Sequence, residues 1–227
     1  MRLTTRIDRR QALAAGAAVG GLAILASAFP AFAQRHQGPA EVDVGELMKR
    51  DEGFPDLILG SADAKVTIVE YASMTCGHCK HFHDTVYPEI KKKYIHTGKI
   101  RFAFREFPLD NRAVAASMLA RCTGTPEKSM ALIDILFNKQ EEWAFSETGT
   151  KAKLFEIAKQ VGFTQESFDK CLTDQKLLDQ LTTGRTRGAD TFGVNATPSF
   201  FINGKRLMGP PTIEEFDKVL EPLLSQG

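Results

Sequence analysis

Two apolar rhythms divide the chain. Val66-Thr67-Ile68-Val69-Glu70-Tyr71 is a β-branched run behind a loop signal at residues 61–65, the mark of a core strand. Lys99-Ile100-Arg101-Phe102-Ala103-Phe104-Arg105 predicts a second strand, and Asp56-Leu57-Ile58-Leu59 a small edge strand. Between the two core strands the pattern predicts one helix from near Cys76 to about Thr97, ended by Gly98. From Leu109 to Phe192 the period lengthens. Ala115, Met118, Leu119 and Cys122 share one helical face, as do Met130, Ile133, Leu136 and Phe137 after a Thr125-Pro126 start. Leu154, Ile157, Ala158 and Val161 form a stripe closed by Gly162, and Phe168, Cys171 and Leu172 follow a Thr164 cap. The short period then returns in Ser199-Phe200-Phe201-Ile202 and Lys205-Arg206-Leu207, and Asn203-Gly204 between them predicts a hairpin. A last helix starts at Thr212, with Glu215 placed to complete a capping box and Phe216, Val219, Leu220 and Leu223 facing inward.

This order specifies an α/β fold in which a βαβ half (residues 65–108) and a ββα half (193–227) are separated by a helical insertion (109–192). Residues 34–64, with Pro39, Gly53 and Pro55, read as a loosely packed arm.

The first 33 residues read as an address. Arg2, Arg6, Arg9 and Arg10 precede an uncharged run rich in Ala, Gly and Leu, and Ala31-Phe32-Ala33 supplies a small-residue cleavage site. A cleaved signal is the expectation, with export to the periplasm and processing after Ala33; an uncleaved anchor is the alternative. Arg9-Arg10 with Leu13 leans towards a twin-arginine signal, although Asp8 and Ala12 depart from that pattern. Removing this segment leaves 194 residues carrying 25 basic and 27 acidic side chains, a balance that points away from nucleic acid as a partner.

All four cysteines lie beyond the leader, an even number that favours disulfides in an exported chain. Cys76 and Cys79 are three apart and Cys122 and Cys171 are 49 apart, which implies two different jobs. In Cys76-Gly77-His78-Cys79 the first sulfur meets the unpaired amides and dipole of a helix start, so it is the expected nucleophile. Cys79, one turn in, is the expected resolving thiol, and a donor or partial positive charge on His78 would favour the Cys76 thiolate. Haem attachment is excluded because Lys80 stands where a histidine is required. Zinc is a rival, since Cys76, Cys79, His81 and His83 crowd eight residues, yet the two histidines sit two apart on the expected helix and point to different faces. A purely structural disulfide is the third reading, weak because it closes almost no loop. Glu70 lies in an apolar strand, either at a rim or buried where it could exchange a proton with Cys79. Thr197-Pro198 leads into the hairpin and admits either a trans loop proline or a cis bond. No cofactor and no metal is assigned.

Together these residues resemble the DsbA family of periplasmic thiol:disulfide oxidoreductases. Val66 to Cys79, Arg105-Glu106-Phe107-Pro108-Leu109-Asp110 and Thr197-Pro198-Ser199-Phe200-Phe201-Ile202-Asn203-Gly204 carry the likeness, which runs from about Asp56 to Leu224. The resemblance implies a thioredoxin-like fold with the insertion, Cys76 as nucleophile, Glu70 in the buried-acid position, and a cis Pro198 facing the dithiol. It implies a Cys122–Cys171 disulfide in place of two buried thiols. It implies a monomer that oxidises unfolded or reduced exported proteins and is recharged by a membrane reoxidising partner. Gly77 departs from the Pro-His pair of the family's best-known oxidase, which leaves the potential open. Thr197 is shared with disulfide isomerases, so an isomerase or reductase is the alternative. Against an isomerase, residues 34–64 are too few for a dimerisation domain.

Overall fold

The run Val66–Ala72 forms strand β2, and all seven of its residues are buried. The computed structural model describes residues 38–50 and 54–225, so the leader read from residues 1–33 lies outside the described part. Before β2 come helix α1 (Val44–Met48) and strand β1 (Leu57–Gly60); after it come α2 (Gly77–Thr85), α3 (Tyr87–Ile90) and β3 (Ile100–Glu106). Six helices follow: α4 (Asn111–Arg121), α5 (Pro126–Asn138), α6 (Gln140–Trp143), α7 (Thr150–Lys159), α8 (Gln165–Leu172) and α9 (Gln175–Phe192). Strands β4 (Ser199–Ile202) and β5 (Lys205–Arg206) and helix α10 (Ile213–Ser225) close the described chain. The strands form one sheet in the order β1-β3-β2-β4-β5, with β2 parallel to β3 and antiparallel to β4. A central strand flanked on both edges is buried on both faces, which is why its pattern is almost continuously apolar.

Alternation along β2 divides the core. Val66, Ile68 and Ala72 pack into the cluster that includes Phe82, Tyr87 and Phe137, whereas Val69 and Tyr71 join Leu47, Phe107, Phe192 and Phe201 on the other face. Glu70 shares its parity with Ile68 and Ala72, so it points towards α2.

Three expectations are corrected. The helix from Cys76 is not continuous: it ends at Thr85, restarts as α3 and finishes as a π turn over Lys91–Ile95. Pro88 explains the break, since it has no N–H to continue the ladder and stands in the first turn of α3, where none is needed. The capping box at Thr212 is half made. Its Oγ1 accepts from the Glu215 amide at 3.4 Å, but the Glu215 carboxylate bonds Lys218 instead. The described part of the arm is packed rather than loose. Leu47 is buried, Glu41 bridges to Lys205, and the Val42 N–H donates to Gly204 O at 2.9 Å.

What ties the arm down is Arg105, a fully buried guanidinium. It donates to both Asp56 oxygens at 2.8 and 2.7 Å, to the Tyr71 hydroxyl at 2.8 Å and to Leu47 O at 2.7 Å. In the insertion, Cys122 and Cys171 form a disulfide across 49 residues, between the end of α4 and α8. Closing a loop of that length corresponds to roughly 4 kcal/mol on a chain-entropy argument. At the hairpin, Asn203 and Gly204 take φ of 45° and 84°, the pair of left-handed residues that a tight two-residue turn requires.

Candidate active site

Cys76 is the N-cap of α2, with extended backbone angles of φ −85° and ψ 121°. The open amides of the first helical turn therefore face its sulfur. Cys79 lies one turn in and is wholly buried, while Cys76 is half-exposed; both are free thiols. The sequence placed these two residues in the same relation.

The two sulfurs titrate in opposite directions. Cys76 is lowered to about 5: the hydrogen bond from Cys79 acts most strongly, burial opposes it, and the Thr197 side chain and the backbone N–H groups of Cys79 and His78 add to the lowering. Cys79 is pushed well above the usual thiol range, first by burial, then by its bond to Cys76 and by the Glu70 charge. One sulfur is thus prepared to be an anion and the other a neutral thiol.

The cis Thr197–Pro198 bond stands opposite, with the Thr197 carbonyl 3.3 Å from Cys76 Sγ. His78 is exposed in the first turn of α2, and it is its backbone amide that acts on Cys76. Glu70 is buried, not at a rim. Its Oε2 lies 2.9 Å from His83 Nε2. His81 is on the exposed face of α2 while His83 is turned inward, and among the described residues no three His, Cys, Asp or Glu side chains are gathered as a metal set.

Several residues frame the site in roles that the sequence did not assign to them. Gln140 is fully buried and its Nε2 donates to Met74 O at 2.8 Å and Cys76 O at 3.1 Å, so the insertion braces the loop that presents the nucleophile. Asp110 caps α4 through the Ala113 amide and also accepts from Thr75 Oγ1 at 2.7 Å. His83 stacks on Phe137, with ring centres 4.3 Å apart. The sequence offered it only as a zinc ligand; its position four residues after Cys79, on the same helical face, is the signal that ties it to the dithiol. Burial pulls the His83 pKa down, but Glu70 and Asp134 outweigh that and hold it at about 9.

Comparison with known proteins sets this geometry in a family. A family model described as Thioredoxin matches residues 54–222. A putative protein-disulfide oxidoreductase of Rickettsia bellii is 38% identical over 179 residues, covering 77% of this chain and 67% of that protein. A second, from Rickettsia conorii, is 36% identical over 171 residues, and this chain spans 61% of its length. The crystal structure of Wolbachia pipientis alpha-DsbA1 superimposes with a TM-score of 0.74 at 31% identity, over 82% of this chain and 97% of that one.

Proposed function

We propose, for a chain that belongs to the thioredoxin family as a DsbA-like thiol:disulfide oxidoreductase, that it donates the Cys76–Cys79 disulfide to reduced or unfolded exported proteins. In the oxidised form a substrate thiolate attacks Cys76 Sγ, the half-exposed sulfur, and Cys79 leaves and takes up a proton as a buried thiol. A second substrate thiolate then attacks its partner sulfur in the mixed disulfide and expels Cys76 as a thiolate. Two electrons pass from the substrate thiols to the enzyme pair. A thiol that titrates near 5 leaves readily, which drives donation rather than reduction. Glu70 exchanges the proton that Cys79 gains and loses. Thr197 and Pro198 line the place where substrate sulfur meets Cys76.

The observation that carries this reading is the division of labour between a half-exposed N-cap sulfur and a buried sulfur one turn away. Recharging calls for an oxidant outside the chain, for which a membrane partner in the same exported compartment fits. No helix among the described residues is long and apolar enough to cross a membrane. Cys79→Ser should accumulate mixed disulfides between Cys76 and a reduced, unfolded protein on a non-reducing gel, and Cys76→Ser should accumulate none. Equal trapping by the two variants would contradict the assignment of roles.

A further inference from the structure

Glu70 receives no counter-charge from its own sheet, because its register neighbours are Phe104 on β3 and Phe200 on β4. The charge that reaches it is His83, through Oε2, while its Oε1 is buried with no hydrogen-bond partner. The other imidazole nitrogen, Nδ1, is buried without a hydrogen-bond partner and faces Asp134 Oδ1 on α5 at 3.7 Å, an ion-pair distance rather than a hydrogen bond. Asp134 Oδ2 accepts from Lys91 at 2.8 Å, and the Asp134 side chain is 36% exposed. It lines a cleft of about 460 Å³ with Gly60, Lys91, Ile95, His96 and Met130, and neither Cys76 nor Thr197 lines that cleft. Elsewhere His83 is enclosed by the rings of Phe82, Phe104, Phe137 and Tyr87. The Tyr87 hydroxyl is buried without a hydrogen-bond partner, and Lys91 Nζ sits 4.6 Å from the centre of its ring. A carboxylate, an imidazole and a second carboxylate therefore follow one another from the core beneath α2, where the Glu70 charge acts on buried Cys79, to open solvent.

We propose that Glu70, His83 and Asp134 form a proton conduit that connects Cys79 to this cleft, with His83 as its positioning and relay residue. The inference rests on the reading of Cys79 as the resolving thiol. Each cycle moves one proton on or off Cys79, which is buried in the free protein and further covered when a substrate is joined to Cys76. During oxidation by a small disulfide, Cys79 gives its proton to Glu70 Oε1 and its sulfur attacks Cys76. The Cys76–Cys79 bond forms, the bond from Cys76 to the small thiol breaks, and that thiol leaves as a thiolate. The enzyme pair loses two electrons and the small disulfide gains two. With Glu70 neutral, the imidazolium loses the charge that held its proton and releases it from Nδ1 towards Asp134 and the cleft. The raised pKa of His83 keeps the imidazolium present at pH 7 until that moment.

The test uses the reduced protein, oxidised glutathione, rapid acid quenching and mass analysis of the trapped species. His83→Gln and Asp134→Asn should form the Cys76–glutathione mixed disulfide at close to the parental rate. Resolution by Cys79 should slow by about tenfold or more at pH 7, with a larger solvent deuterium isotope effect. Imidazole, small enough for the cleft, should restore resolution in Asp134→Asn, a rescue that a packing role would not show. Asp134 is partly exposed, so this variant keeps the question open to measurement even where His83→Gln fails to fold. Resolution at the parental rate in Asp134→Asn, or slowing without imidazole rescue, would overturn the conduit. Failure of the unaltered protein to form the mixed disulfide would instead remove the reading of Cys76 on which the conduit stands.

Discussion

Cys76 joins two properties at one atom: it is open enough to meet a protein substrate, and its thiolate is stabilised first by the hydrogen bond from Cys79 and then by the amides of the helix start. A thiol lowered to about 5 in the folded state has an unfolded value near 8.5. Because the folded value is depressed, the reduced fold gains stability that is complete above about 8.5, shrinks as pH falls and vanishes below about 5. At pH 7 the shift corresponds to at most about 3 kcal/mol, and solvent screening at a half-exposed sulfur reduces this to about 2. Reduced parent and Cys76→Ser should therefore unfold at nearly the same urea concentration at pH 4, and the parent should lead by about 2 kcal/mol at pH 7. A gap that does not change with pH would show that the sulfur is not held as an anion. At this scale the dithiol was legible because two cysteines three apart at a helix start have few other uses. His83 was not, because a buried histidine and a zinc-ligating one look alike until the fold turns its Nε2 to Glu70.

The element that presents the dithiol is α2, and Gly77 is its first residue. A side chain added there would meet nothing within 4 Å, and the helical first position suits proline. Cys76 already has the extended backbone that a following proline demands. Gly77→Pro should raise stability by about 0.4–1 kcal/mol by restricting the unfolded chain, and should leave the Cys76 titration in place, since the amides acting on it belong to His78 and Cys79. Thiolate absorbance against pH, with urea unfolding, checks both; loss of the low titration would mean that Gly77 itself holds the sulfur's surroundings. Helix starts were readable from caps such as Thr125 and Thr164, which accept the amides of Lys128 and Ser167. The break between α2 and α3 was less so, because the apolar positions Phe82, Val86, Ile90 and Tyr94 keep helical spacing across Pro88.

For the whole molecule, the buried Arg105 joins arm, sheet and core in a way that no local pattern reveals, since an arginine in a β-run reads as an edge or solvent position. Removing it leaves Asp56 with Arg50 as its remaining ion-pair partner, at 3.0 Å, and strips Leu47 O and the Tyr71 hydroxyl of a donor. Arg105→Met should cost about 3–5 kcal/mol in urea unfolding, and an effect below about 1 would mean that the arm is held by packing alone. Two of the four strand pairings among the described residues, by contrast, followed from the strand and helix sequence, because a βαβ unit brings β2 and β3 together in parallel and the Asn203-Gly204 turn returns β5 beside β4.

These scales meet in the equilibrium between dithiol and disulfide. A reduced state favoured by about 2 kcal/mol shifts the potential by about 40 mV in the oxidising direction. The most direct test is the reduction potential of the Cys76–Cys79 pair, measured at pH 7 by equilibration in glutathione redox buffers. A disulfide donor built in this way should lie at about −230 mV or less negative, against about −270 mV for thioredoxin. A value at or below about −270 mV would contradict the account and make the chain a reductase.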